Sequence, residues 1–191
     1  MAVEIEAKVR IDSADVVREA LRRAGAACVG SRFELNAFFD SADRTLTSGD
    51  RGLRVRLHKA RGKPDEVVMT FKGPRQGSAL KVREEIELVV DDFDAAARLL
   101  ERLGYKPTLG FEKRRESWSL DGCSIEIDEL PVEGFFAEVE GSRAEDVHAV
   151  LARIGLSGRE LLTTSYIAMM DAAVKANRAT GPVVRFASAQ A

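Results

Sequence analysis

Glu4, Glu6, Lys8 and Arg10 alternate with Val3, Ile5, Ala7, Val9 and Ile11, so an extended chain here carries charge on one face and apolar groups on the other. The same two-residue period returns along most of the sequence. Arg54, Arg56 and His58 alternate with Leu53, Val55 and Leu57, Thr70 and Lys72 with Met69 and Phe71, and Glu85 and Glu87 with Ile86 and Leu88. Glu126 and Asp128 alternate with Ile125 and Ile127, Glu138 and Glu140 with Ala137 and Val139, and Lys113 and Arg115 share a parity. A one-sided sheet with a solvated outer face explains any single strand of this kind. It explains the whole set less well, because solvated faces are diluted with neutral polar residues. Here carboxylates recur two apart, and so do cations. Residues i and i+2 lie roughly 7 Å apart on one face of a strand, close enough for two carboxylates to flank a divalent cation.

Helical segments lie between these strands. Ser13 to Ala24, Asp94 to Leu103 and Ser142 to Ile154 read as amphipathic helices, each stopped by glycine: Gly25, Gly104 and Gly155. Ser13 is the expected N-cap of the first, and Ser142 with Glu145 forms an expected capping box on the third. Each helix follows a strand bearing Glu-apolar-Glu. Helices must pack on the apolar strand faces, so the charged faces turn away from them and toward one another. A sheet curled into a barrel does this, with helices outside and a polar interior. The expected architecture is therefore α+β, a closed antiparallel barrel with helices packed around it. Residues 171–191 read as a tail, partly disordered, because Thr180-Gly181-Pro182 interrupts any helix there.

Composition limits the function. A chain of 191 residues with 45% hydrophobic content can bury a real core. A net charge of -2 and few aromatics argue against nucleic acid as a partner. The lone cysteines Cys28 and Cys123 fit neither zinc spacing nor a disulfide framework. No apolar run spans a bilayer and the first residues already form a charged strand, so a cytoplasmic protein without a membrane partner is expected. Oligomeric state has no clear signature, and a homodimer through the outer helices is left open.

The ordered motifs resemble a known family. Glu4-x-Glu6-x-Lys8, Phe39-Asp40, Leu53-Arg54-Val55-Arg56, Thr70-Phe71-Lys72-Gly73-Pro74 and Arg83-Glu84-Glu85-Ile86-Glu87 come first. Leu103-Gly104, Lys113-Arg114-Arg115, Ile125-Glu126-Ile127-Asp128, Glu138-Val139-Glu140 and Ser165-Tyr166 follow. Together they resemble the CYTH superfamily, the triphosphate tunnel metalloenzymes, from Glu4 to about Met170. The resemblance implies a closed eight-stranded antiparallel barrel over residues 1–170. It implies that Lys8, Arg54, Arg56, Lys72, Arg83, Lys113 and Arg115 hold a triphosphate. Glu4, Glu6, Asp128, Glu138 and Glu140 are implied as ligands of Mg²⁺ or Mn²⁺, with Glu85 and Glu87 in support. Glu4, Glu6, Lys8, Glu138 and Glu140 form the implied catalytic set.

The substrate implied is a triphosphate-containing small molecule. Two reactions suit such a site: conversion of ATP to cyclic AMP and pyrophosphate, as in class IV adenylate cyclases, and hydrolysis of inorganic, thiamine or nucleoside triphosphate. The wording of the motifs lies nearest the cyclase branch. A non-catalytic triphosphate binder is the third alternative, disfavoured by the number of carboxylates.

Overall fold

The computed structural model describes residues 5–75 and 83–187. Among these, nine strands join one sheet. Its antiparallel path runs β1 (Ile5–Ile11), β8 (Gly134–Gly141), β7 (Cys123–Leu130), β6 (Lys106–Leu120), β2 (Ala27–Asp40), β3 (Gly52–Lys59), β4 (Glu66–Lys72) and β5 (Glu85–Val90). A two-residue β9 (Val183–Val184) adds parallel to β6. Five helices accompany them: α1 (Ala14–Arg23), α2 (Thr45–Ser48), α3 (Phe93–Arg102), α4 (Ala144–Arg153) and α5 (Tyr166–Lys175).

The path has two ends, β1 and β5, and no ladder joins them among the described residues. The closure expected of eight strands is thus not formed as a continuous hydrogen-bonded ring. The segment between α4 and α5 lies along the outer edge of β1 instead, where the Leu162 N–H donates to the Lys8 carbonyl at 2.8 Å. Arg75, beyond β4, reaches the Thr163 carbonyl at 3.5 Å.

Register turns the sequence parity into two faces. Ladder partners share a face, and the pairs Lys8 with Glu138, Glu138 with Glu126, Arg115 with Asp128, Glu34 with Lys113, Asn36 with Arg56, Arg54 with Thr70, and Thr70 with Glu87 run across all eight strands. One face is therefore ionic throughout its middle. On the other, Ala7, Val9, Ile125, Ile127, Ala137 and Val139 pack with Val17 and Leu21 of α1 and Val147, Val150 and Leu151 of α4. Phe39, Val55 and Val67 pack with Ala96 and Leu100 of α3 on the same side. These helices follow the 3.6-residue spacing of their apolar residues.

Three details differ from expectation. The N-cap of α4 is Arg143, with no side-chain cap, so Ser142 and Glu145 do not form a capping box. Helix α3 starts at Phe93, where the Asp92 carboxylate accepts from the Ala95 N–H at 2.5 Å. Most important, α5 packs on the ionic face rather than outside. At one end that face becomes apolar, through Phe38, Phe111, Leu130 and Phe136, and Tyr166 and Met170 of α5 with Val184 of β9 cover it. The stretch expected to trail off as a tail thus carries the second half of α5 and the ninth strand.

Between β2 and α2, Asp40 accounts for the Phe39-Asp40 motif. Its carboxylate accepts from the backbone N–H groups of Ser41, Leu46 and Thr47 at 2.8–2.9 Å and from the Thr47 hydroxyl at 2.5 Å. Those bonds outweigh the cost of burial and hold its acid down to about 2. Asp40 anchors the turn toward β3, with Ser41 and Arg51 bonding Thr45 beside it.

Candidate active site

Most of the expected cations and carboxylates converge on the inner face. Lys8 on β1 lies 3.0 Å from Glu138 and 3.8 Å from Glu6, and its ammonium sits 3.8 Å above the Tyr166 ring. Arg115 on β6 forks onto Asp128, at 2.6 and 2.5 Å, and reaches Glu138 at 2.5 Å. Lys113, 1% exposed, lies between Glu34 at 3.2 Å and Asp128 at 3.4 Å. On the far side, Arg54 donates to Thr70 at 3.0 Å, Thr70 donates to Glu87 at 2.9 Å, and Lys72 contacts Glu85. Glu85 and Glu87 are thus cation partners. Arg83 stands apart, 3.6 Å from Asp50. Glu4 lies outside the described residues.

Three residues of β2 outside the alternating set above also join this face. Glu34 is fully buried and meets Arg32 at 2.7 Å, Lys113 at 3.2 Å and Arg56 at 3.3 Å. Asn36, also fully buried, accepts from Arg56 at 2.7 Å. Arg32, Glu34 and Asn36 alternate with Phe33, Leu35 and Ala37, so the same signal was present. Irregularities at Cys28/Gly30 and Ala37/Phe39 interrupt it at both ends.

The electrostatics are uneven. Burial, with Arg56 adding repulsion, pulls the Arg54 guanidinium down to about 9, and burial with Arg115 pulls the Lys113 ammonium down to about 8. Burial likewise lowers Arg56 and Lys72. Arg115 runs the other way: burial opposes its charge, but Asp128 and Glu138 hold it well above its usual range. Burial would raise Glu34, yet Lys113, Arg56, Arg115 and Arg32 keep it well below the carboxylate range. Four cations are therefore under-compensated, which is the condition an arriving polyanion relieves.

The carboxylates suit a hard divalent cation by type. Glu6 opposes Glu140 in the β1–β8 ladder, and Glu138 opposes Glu126 in the next. Burial raises Glu126 despite Arg115 nearby, so its charge is incompletely met. Such an oxygen set fits Mg²⁺ or Mn²⁺. Among the described residues no three of them converge as a ready cluster, and Asp128 has both oxygens engaged by Arg115. Tyr166, with its hydroxyl beside Asp128 but outside hydrogen-bonding geometry, is pushed well up by burial and by the charges of Asp128 and Glu138.

A cavity of about 420 Å³ is lined by Arg18, Phe33, Arg61, Arg114, Ile127 and Phe135 among others. Phe33, Arg114, Ile127 and Phe135 are of outer-face parity, whereas Arg32 and Arg115, which also line it, belong to the ionic face. None of the helices among the described residues is long and apolar enough to cross a membrane.

Residues 2–166 match the model of the CYTH domain. The chain belongs to the CYTH domain family. CYTH enzymes are metal-dependent and act on triphosphate-containing substrates, which agrees with the two charge sets on the inner face. A protein of Methanocaldococcus jannaschii, named provisionally as an adenylate cyclase, is 27% identical over 174 residues, 86% of this chain and 97% of that one. Among solved structures, a Pyrococcus horikoshii protein matches with a TM-score of 0.78 and 27% identity, over 88% of this chain and 98% of that one. A Hippeastrum protein, named provisionally as an adenylyl cyclase and described as revealing a dominant triphosphatase activity, shares the fold at a TM-score of 0.68 and 20% identity, over 88% and 95%.

Proposed function

We propose that this CYTH protein converts ATP to cyclic AMP and pyrophosphate on its inner sheet face, with Mg²⁺ or Mn²⁺. The observation that carries this reading is the under-compensated cation set of Arg54, Arg56, Lys72 and Lys113 facing Lys8 and Arg115. Guanidinium forks and ammonium groups on neighbouring strands suit successive phosphates of a chain. The provisional cyclase name of the archaeal relative, at 97% coverage of that protein, supports the choice of reaction.

Lys8, Arg54, Arg56, Lys72, Lys113 and Arg115 bind and align the phosphates, and Arg83 joins them at the β5 end. Fixed in this way, they meet charge that shifts from the attacked phosphorus onto the departing pyrophosphate. Glu6, Glu138 and Glu140, with Glu126 and Glu4, would hold the metal, whose chemistry is to neutralise phosphate oxygens and favour the leaving group. Asp128, engaged by Arg115 and Lys113, orients those cations. Substrate bound between the two halves of the face also draws the β1 and β5 edges together, which gives the eight-stranded barrel its closure.

The dominant triphosphatase activity of the Hippeastrum protein favours a second reading, hydrolysis of a triphosphate with release of orthophosphate. Incubation with ATP, tripolyphosphate and thiamine triphosphate, each with Mg²⁺ or Mn²⁺, separates the two. Cyclic AMP plus pyrophosphate is the expected product. Orthophosphate together with the matching diphosphate, and no cyclic AMP, selects the hydrolase, and tight binding without turnover leaves only a binding module. Glu138→Gln is expected to lose turnover by at least about 100-fold while keeping a native circular dichroism spectrum, because β8 keeps its apolar outer face.

A further inference from the structure

Opposite the end covered by α5, the inner face ends in Arg32, His58, Ser117 and Glu126. His58 is held on both sides by its ladder partners, Glu34 on β2 and Glu66 on β4. Its Nδ1 lies 3.1 Å from Glu66 Oε2, while Nε2 is buried without a hydrogen-bond partner, its nearest acid being Glu34 at 3.7 Å. A carboxylate at Nδ1 selects the tautomer with the proton there. Nε2 is then a free lone pair on the inner face.

The other inner-face groups serve poorly as proton acceptors. Lysines and arginines carry their protons, Glu34 is held as a carboxylate by Lys113, Arg56, Arg115 and Arg32, and Glu126, raised by burial, already accepts from the Ser117 hydroxyl at 2.6 Å. The second histidine, His148, is exposed on α4. His58 is surrounded by Arg56 on its own strand, Arg32 and Glu34 on β2, and Glu66 on β4. Burial, reinforced by Arg56 and Arg32, outweighs the two acids and keeps the imidazole below its usual value, hence neutral near pH 7.

We propose that His58 is the general base of the reaction, its Nε2 accepting the proton of the group that attacks phosphorus at the open end, with Glu66 as its positioning residue. This rests on the cyclase reading and adds direction to it. Phosphates on Arg54 and Arg56 thread toward α5, so the nucleoside and its α-phosphorus lie at the His58 end. The ribose hydroxyl gives its proton to Nε2 and its oxygen forms the new bond to the α-phosphorus. The bond from that phosphorus to the bridging oxygen breaks, and pyrophosphate leaves with the electron pair. Hydrolysis at the terminal phosphorus needs its base at the opposite end.

The test compares wild type, His58→Gln and Glu66→Gln in kcat against pH and in tripolyphosphate binding by calorimetry. His58→Gln is expected to lower kcat about 100- to 10,000-fold and to abolish the fall in rate on the acid side. Its tripolyphosphate Kd should stay within about threefold, a pair of results that a merely structural role does not give. Glu66→Gln is expected to lower kcat less and to move the acid limb to lower pH, since Glu66 raises the His58 pKa. Glu66→Asp should recover part of the loss. Wild-type kcat with an unchanged acid limb in His58→Gln overturns the assignment even though the enzyme is active. A wild type that binds tripolyphosphate and turns over nothing overturns the enzymatic reading itself. If His58→Gln does not fold, an unshifted acid limb in Glu66→Gln overturns the assignment on its own.

Discussion

Lys113 shows how one side chain reports on the site. Its ammonium titrates near 8 in the folded protein against about 10.4 for an unhindered lysine, because burial and Arg115 disfavour the charge. A lysine whose folded value is depressed binds fewer protons folded than unfolded between those values, so its effect on stability becomes more favourable as pH rises through that window. A bound triphosphate reverses the depression. Binding at pH near 8.5 is therefore expected to take up protons, about half a proton or more. Calorimetry in buffers of different ionisation enthalpy reads this directly, and heat independent of buffer rejects it. Lys113 was legible in the sequence because Lys113-Arg114-Arg115 has clear parity. Its partner Glu34 was not, because bulges bound the alternation of β2 and no neighbouring Glu-apolar-Glu drew attention to it.

At the scale of the element, α5 divides what sequence could give from what it could not. The other main helices sit where the period of two put them, on the apolar faces of their strands. Helix α5 follows no acidic-pair strand and covers Phe38, Phe111, Leu130 and Phe136, apolar residues on the parity that elsewhere is charged. Those positions read as exceptions to a pattern until register showed them gathered at one end. Met170 is fully buried there. Met170→Ala is expected to cost about 2–5 kcal/mol of stability, measured by urea unfolding, and to weaken tripolyphosphate binding because Tyr166, one helical turn away, supports Lys8. A variant with unchanged stability would place α5 outside the cooperative core.

For the whole molecule, the two edges of the sheet matter most. The inversion of apolar outside and ionic inside was legible from alternation alone, since it depends only on parity. Closure was not, because it depends on how far the sheet coils and on the segment that lies against β1 through Leu162. If substrate draws β1 and β5 together, amide exchange in Ile5–Ile11 and Glu85–Val90 should slow on adding tripolyphosphate with Mg²⁺, more than exchange in β7, which has neighbours on both sides. Equal slowing everywhere would indicate general stabilisation by mass action instead.

The meeting of buried Glu34 with buried Lys113 and largely buried Arg56 constrains how such a lining can change through mutation. Neutralising one member leaves its neighbours as stranded ions, which is far costlier than exchanging the whole group for well-packed apolar side chains. Drift on the outer wall can therefore proceed one residue at a time, through swaps of similar volume. The inner wall must move by compensated steps, so new substrate preferences arise in jumps between matched sets of charges.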